Sequence, residues 1–85
     1  MGTLAKLVNI GPTLEKQLEQ VGITTPQELE TVGSHEAWLR IKAIDPSACI
    51  MRLSALEGAI RGIRWHNLGT GAKAELSAFY HANKG

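Results

Sequence analysis

The residues best suited to chemistry in this chain are one turn and two arginines. Asn9-Ile10-Gly11-Pro12 interrupts a short apolar pattern and leads into a helix whose first position is Pro12. Backbone N–H groups at a helix start lack intrahelical acceptors and sit at the positive end of the helix dipole. Such a turn suits an anion. Lys6 and Lys16 are the nearest cations in sequence. The simpler reading is that Gly11 permits a tight turn and lets two helices cross closely. Arg61 and Arg64 lie further along, on the polar stripe of an otherwise apolar stretch. They could contact phosphate or an acidic partner. The simpler reading pairs Arg61 with Glu57 at i, i+4 and leaves a solvated stripe.

Catalytic patterns are not evident. His35, His66 and His81 share no metal-ligand spacing, and neither HExxH nor CxxC occurs. The single Cys49 cannot form an intramolecular disulfide or anchor zinc by itself. At helical spacing it falls on the arc of Leu53, Leu56, Ile60 and Ile63, which makes it a small core residue. Glu57 is the only carboxylate of its helix, so no acid–base pair presents itself. No catalytic residue, cofactor or metal is expected. Trp38 and Trp65 read as anchors in or at the edge of the core rather than as base-stacking platforms.

The elements that must position these residues follow from spacing. Leu4, Leu7 and Val8 give one or two helical turns. Leu14, Leu18 and Val21 form the apolar face of a second helix, which Gly22 should cap. Thr25-Pro26-Gln27-Glu28 is a capping box with proline at the first helical position. That short helix should end at Gly33, and Ser34 should cap the next, with Ala37, Trp38, Ile41 and Ile44 facing inward. Glu36 and Arg40 form an external i, i+4 pair.

After the Asp45-Pro46-Ser47 turn, a long helix is expected from Ser47 or Ala48 to Arg64. Its polar residues, Ser54, Glu57, Arg61 and Arg64, make one narrow stripe. A helix wet on one stripe only belongs at the centre of a bundle. Gly58 and Gly62, flanked by Ala55 and Ala59, imply close approach of another helix, within the domain or in a homodimer. Thr70 can cap a last helix with Leu76, Phe79 and Tyr80 inward, and a tail from His81 to Gly85 should fray. No segment alternates with period two, so no sheet is expected. The fold expectation is a single all-α domain over residues 1–85: five or six short helices around one long central helix.

Composition bounds function. Nine Lys and Arg against eight Asp and Glu give a net charge of +1, which speaks against a strongly electrostatic nucleic-acid binder. With 44% hydrophobic residues the chain can offset ordering entropy. No apolar run approaches the roughly 20 residues of a membrane span. Met1-Gly2-Thr3-Leu4 opens no signal-peptide pattern, so cytoplasm is the default expectation.

The Asn9–Pro12 turn resembles the helix-hairpin-helix element, in which a glycine turn presents backbone N–H groups to a DNA phosphate. Here Asn9 replaces the usual first glycine, and Pro12 removes one donor. More of the chain, about residues 4–80, resembles the C-terminal domain of the bacterial competence regulator TfoX, also called Sxy. One block is Leu7-Val8-Asn9-Ile10-Gly11-Pro12, with Leu18, Val21-Gly22-Ile23-Thr24-Thr25, Leu29 and Val32-Gly33. The other is Leu53, Ala55-Leu56-Glu57-Gly58-Ala59, Gly62, Trp65 and Leu68.

The resemblance implies a helix-hairpin-helix or SAM-like fold. It also implies a link to transcription of DNA-uptake genes, where family members act with the cyclic-AMP receptor protein. Full-length regulators carry a further N-terminal domain, so the chain reads either as a free-standing relative or as one domain of a longer protein. The expected function is a non-enzymatic regulatory module. It would work through protein contacts, with transcription machinery or with itself, and through weak DNA contacts at Asn9, Ile10, Gly11, Lys16, Arg61 and Arg64. The alternative is a SAM-like self-association domain. The oligomeric state expected for the chain is a monomer or a homodimer, and a strict monomer would exclude that alternative.

Overall fold

Apolar spacing becomes four α-helices in the computed structural model, which describes residues 4–84. The helices are α1 (Pro12–Gln20), α2 (Pro26–Ile44), α3 (Ile50–Arg61) and α4 (Thr70–Asn83). Two 3-10 turns, Leu4–Lys6 and Trp65–Asn67, complete the order, and no strand occurs among the described residues. The all-α expectation holds. The expected count of five or six is four here: α2 is broken at Gly33 (φ +86, ψ +159), the position where its first helix was expected to end, and the first apolar run winds only the Leu4–Lys6 3-10 turn.

Each boundary has a local cause. Thr25 caps α2 with a capping box: its hydroxyl accepts from the Glu28 N–H at 3.1 Å, and Glu28 Oε1 accepts from the Thr25 N–H at 3.2 Å. The Thr24 backbone and hydroxyl also donate to that carboxylate, which holds the Glu28 pKa below its ordinary value. α1 ends as Gly22 predicts. Gly22 has φ +87, its N–H donates to the Glu19 carbonyl, and the Ile23 N–H reaches back to Leu18 at 2.9 Å. This is the paired reverse bonding of a Schellman end, and both Leu18 and Ile23 are fully buried.

α3 ends the same way. Gly62 has φ +76, its N–H donates to Ala59, and the Ile63 N–H donates to Gly58 at 2.9 Å. The helix therefore stops at Arg61, three residues earlier than expected, and Arg64 lies outside it. At the other end, Asp45 organises a turn in place of the expected first helical turn. Its carboxylate accepts from the Ser47 N–H and hydroxyl, and its carbonyl from the Ala48 N–H. Cys49 is left in extended backbone as the N-cap, half-buried, rather than on the core arc. Ile63, expected on that same arc, is 37% exposed because it lies past the cap.

α3 is central, as its stripe predicts: it packs against α2, α4 and the Trp65–Asn67 turn. It is not the longest helix, since α4 has 14 residues and α3 has 12. Leu53, Ala55, Leu56, Gly58 and Ala59 are its buried residues. Leu29, Ala37, Trp38 and Ile41 of α2, Leu76 of α4, Leu14 and Leu18 of α1, and Leu4, Ile10, Ile23, Ala48 and Leu68 outside the α-helices share that core. Trp38 is fully buried, meets Phe79 and Tyr80 edge-on at 6.0 and 5.6 Å, and donates its Nε1–H to the Cys49 carbonyl at 3.2 Å.

Four further expectations are corrected. Ile44, expected inward, is 49% exposed at the last position of α2, where the chain swings into the Asp45 turn. Ser34 does not act as a side-chain cap: it is buried, and its hydroxyl donates to Glu57 at 2.6 Å. Gly69, not Thr70, takes the N-cap position of α4. The expected frayed tail from His81 is helical through Asn83, whose side chain donates to the Phe79 carbonyl, while Gly85 lies outside the described residues.

Candidate functional site

Asn9 is the one non-glycine among the described residues with positive φ, at +72°. This is the left-handed conformation that glycine normally supplies and that asparagine tolerates best among the rest. The Ile10 N–H donates to Leu7 and closes the turn. Gly11, by contrast, is extended (φ −96, ψ −178) and has open space where a Cβ would stand. The tight turn thus depends on Asn9 and not, as expected, on Gly11.

The Asn9 side chain has a second task. Its Nδ2 donates to the Ile63 carbonyl at 2.9 Å and, at a longer 3.4 Å, to the Ala55 carbonyl. Its Oδ1 accepts from the Trp65 N–H at 3.2 Å. The amide is a clip that joins the first turn of the chain to the end of α3. A Cβ on residue 58 would stand 2.5 Å from Asn9 Nδ2, 2.7 Å from the Ile63 carbonyl oxygen and 3.2 Å from the Trp65 Cα. Gly58 is therefore small because the clip and the returning chain lie on it. The expected close approach of another helix at Gly58 and Gly62 is corrected accordingly, for Gly62 meets nothing and serves as a left-handed cap.

The clip brings two sequence candidates together. Arg64 sits between its two backbone partners, Ile63 and Trp65, and is exposed. It is thereby held beside the Asn9-Ile10-Gly11-Pro12 turn. Ile10 is buried, so only its backbone can face a ligand. Gly11 caps α1 with no side-chain acceptor, and Pro12 has no N–H to offer. Lys16 is exposed one turn into α1. Neither Arg64 nor Lys16 forms an ion pair with a described residue.

Arg61 is placed differently. Its Nε donates to Glu57 Oε2 at 2.6 Å, the i, i+4 pair of the simpler reading. Burial pushes the Glu57 carboxyl up, but the Ser34 hydroxyl and the Arg61 guanidinium outweigh it and leave the pKa below its ordinary value. His35 lies near this network, with Nε2 2.9 Å from Glu75 of α4 and its ring 4.2 Å from that of Phe79. The Glu36–Arg40 pair forms as expected, at 3.0 Å.

Sequence reasoning missed the Asp45 hub. Beyond its Ser47 bonds, this carboxylate accepts from Gln17 of α1 at 2.9 Å and from Arg52 of α3 at 2.6 Å. The Ser47 hydroxyl, the Arg52 guanidinium and the Gln17 amide together hold Asp45 far below the usual carboxylate range. The Asp-Pro-Ser signature gave the turn, but nothing local announces partners 28 residues before and seven after. Among the described residues, no cluster of three or more His, Cys, Asp or Glu is placed to hold a metal ion, and no helix is long and apolar enough to cross a membrane.

The sequence matches the TfoX C-terminal domain over residues 1–80. The chain belongs to the TfoX C-terminal domain family. Two crystal structures are similar to it. An uncharacterized protein from Listeria monocytogenes, in a triclinic form, superposes with a TM-score of 0.94 at 51% identity, covering 96% of this chain and 93% of that one. A protein of unknown function from Listeria monocytogenes, in a tetragonal form, gives a TM-score of 0.89 at 51% identity over 92% of this chain and 96% of that one. Among curated proteins, nothing matches. Within this TfoX C-terminal domain the clip has a further meaning: Asn9 comes from one of the two sequence blocks of the resemblance, and Ala55, Gly58 and Trp65 from the other. The two blocks are two sides of one junction.

Proposed function

We propose that this TfoX C-terminal domain is a non-enzymatic regulatory module in competence-type transcription, working chiefly through protein contacts and secondarily through weak contact with DNA. Family membership over residues 1–80 carries the regulatory part. The clip that holds exposed Arg64 beside the Asn9–Pro12 turn supports the DNA part. A phosphate there would meet one free guanidinium, with Lys16 a turn away and the α1 N-terminus alongside. So few cations imply binding in the non-specific range of roughly 10⁻⁴–10⁻⁶ M and a shallow salt slope.

Two measurements test the two parts. Titration of a fluorescent duplex at low salt should show weak binding that Arg64→Glu with Lys16→Glu reduces about tenfold, while Arg61→Glu changes it less. Binding indifferent to Arg64 and Lys16 would remove the turn from the account. For the regulatory part, a transcriptional reporter on a DNA-uptake promoter should fall when the protein carrying this domain is deleted and recover on complementation. An unchanged reporter would overturn the reading. The self-association alternative loses the face first assigned to it, because Asn9 and residues 63–65 of the same chain cover Gly58.

A further inference from the structure

The two tryptophans of this chain are treated differently. Trp38 is fully buried with its N–H satisfied. Trp65 is half-buried, and its indole N–H has no acceptor among the described residues. It forms one wall of a groove of about 300 Å³, with Ile50, Met51 and Ser54 of α3 and Lys73 and Ser77 of α4. Met51 is 56% exposed, more than Leu39, Ile44 or Ile63. An accessible tryptophan beside an adaptable methionine is the pairing that anchors protein partners. The volume lies at the small end of the roughly 300–1,000 Å³ of small-molecule sites, and the groove is open along one side.

Charge selects the occupant. Lys73 Nζ is held at the rim by the His66 carbonyl at 3.2 Å, with its remaining N–H donors free. Lys73 lies in the first turn of α4, whose N-cap Gly69 supplies no side-chain acceptor and whose first turn contains no acid. No carboxylate lines the groove. Carboxylates of the flanking elements have their own partners: Glu57 pairs with Arg61 and Ser34, Glu75 with His35 and Asp45 with Arg52. One cation, Lys73, thus stands at the rim of an apolar floor, with no carboxylate in the lining to neutralise it.

We infer that this groove docks an acidic amphipathic helix of a protein partner. Apolar side chains of that helix would cover Met51 and Trp65, and its carboxylates would meet Lys73 and the α4 N-terminus. A second copy of this chain fits less well. Its acidic helix α1 has its apolar residues Leu14 and Leu18 buried in its own core. The inference deepens the protein-contact part of the proposed function and rests on it for biological meaning, though not for binding.

The test uses protein with labelled methionine methyls and tryptophan indoles, titrated with a synthetic Leu/Glu amphipathic helix of about four turns. Saturable NMR shifts of the Met51 methyl and the Trp65 N–H are expected. Met51→Glu should abolish the Trp65 N–H shift, and Lys73→Glu should weaken binding about tenfold. Both positions lie on the surface, and an unchanged melting temperature verifies that the variants fold. Equal binding of a Leu/Lys helix would overturn the inference. So would shifts confined to residues outside the groove, larger shifts at Trp65 and Met51 with duplex DNA, or shifts that depend on protein concentration without peptide. Reporter assays separate the two claims. A reporter that needs the domain but ignores Met51→Glu and Lys73→Glu sinks the groove alone. Peptide docking without any reporter effect on deletion sinks the regulatory reading alone.

Discussion

Gly58→Ala is the sharpest test of the clip. At an ordinary helix position alanine in place of glycine stabilises by about 1 kcal/mol, through propensity and chain entropy. Position 58 is not ordinary: the new Cβ would stand 2.5 Å from Asn9 Nδ2 and 2.7 Å from the Ile63 carbonyl oxygen. The first contact can be relieved only by moving Asn9, which breaks its bonds to Ile63 and Trp65. The second is to backbone fixed by the Schellman end of α3 and relaxes only if that end shifts. Overpacking costs about 1–3 kcal/mol, and each lost hydrogen bond about 0.5–1.5 kcal/mol.

Set against the propensity gain, a net destabilisation of about 2 kcal/mol is expected. An 85-residue domain has a total stability of roughly 4–13 kcal/mol. The melting temperature should therefore fall by about 8–16 °C. Thermal and urea unfolding followed by circular dichroism measure this directly. Asn9→Gly preserves the left-handed backbone while removing the amide, so in that background the cost of Gly58→Ala should drop by about 1 kcal/mol. A Gly58→Ala protein that melts at or above the parent temperature would refute the clip. A strictly additive double mutant would show that Asn9 is not what Gly58 accommodates.

Two other predictions concern the frame. Asp45 titrates below its unfolded value, so its contribution to stability is complete above about pH 4–5 and is lost as the pH falls further. Melting temperatures measured from pH 7 to pH 2 should decline at the acid end, and Asp45→Asn should flatten that decline while lowering the plateau at neutral pH. An unchanged acid limb in the variant would remove Asp45 from the account. Thr25→Ala should cost about 1 kcal/mol in urea unfolding, because it breaks the capping box with Glu28. An unaffected midpoint would mean that Thr24, which also bonds Glu28, carries that helix start alone.

How much of this was legible beforehand differs by feature. Thr25, Gly22 and Pro12 act through groups within a few residues, so their signals survive in sequence. Gly62 was equally local, but an apolar run continuing through Ile63 and Trp65 outweighed one glycine and made α3 too long. The Asn9–Trp65 bond joins residues 56 apart, and the Gln17–Asp45 bond joins residues 28 apart. No periodicity encodes such pairs. Arg61 and Arg64 look alike along the chain, yet the cap at Gly62 sends one into an ion pair on the helix and leaves the other free beside the turn.

The sequence alone determined that this protein is helical, that its centre is the stretch around Ala55–Ala59, and that it resembles the TfoX C-terminal domain. These properties rest on apolar spacing and helix ends, which are short-range. The tertiary structure alone decided why Asn9 and Gly58 occur together, which arginine is available to a partner, and which tryptophan lines an open groove. Those outcomes depend on which distant backbone groups come within hydrogen-bonding reach, and only the packed chain sets that distance.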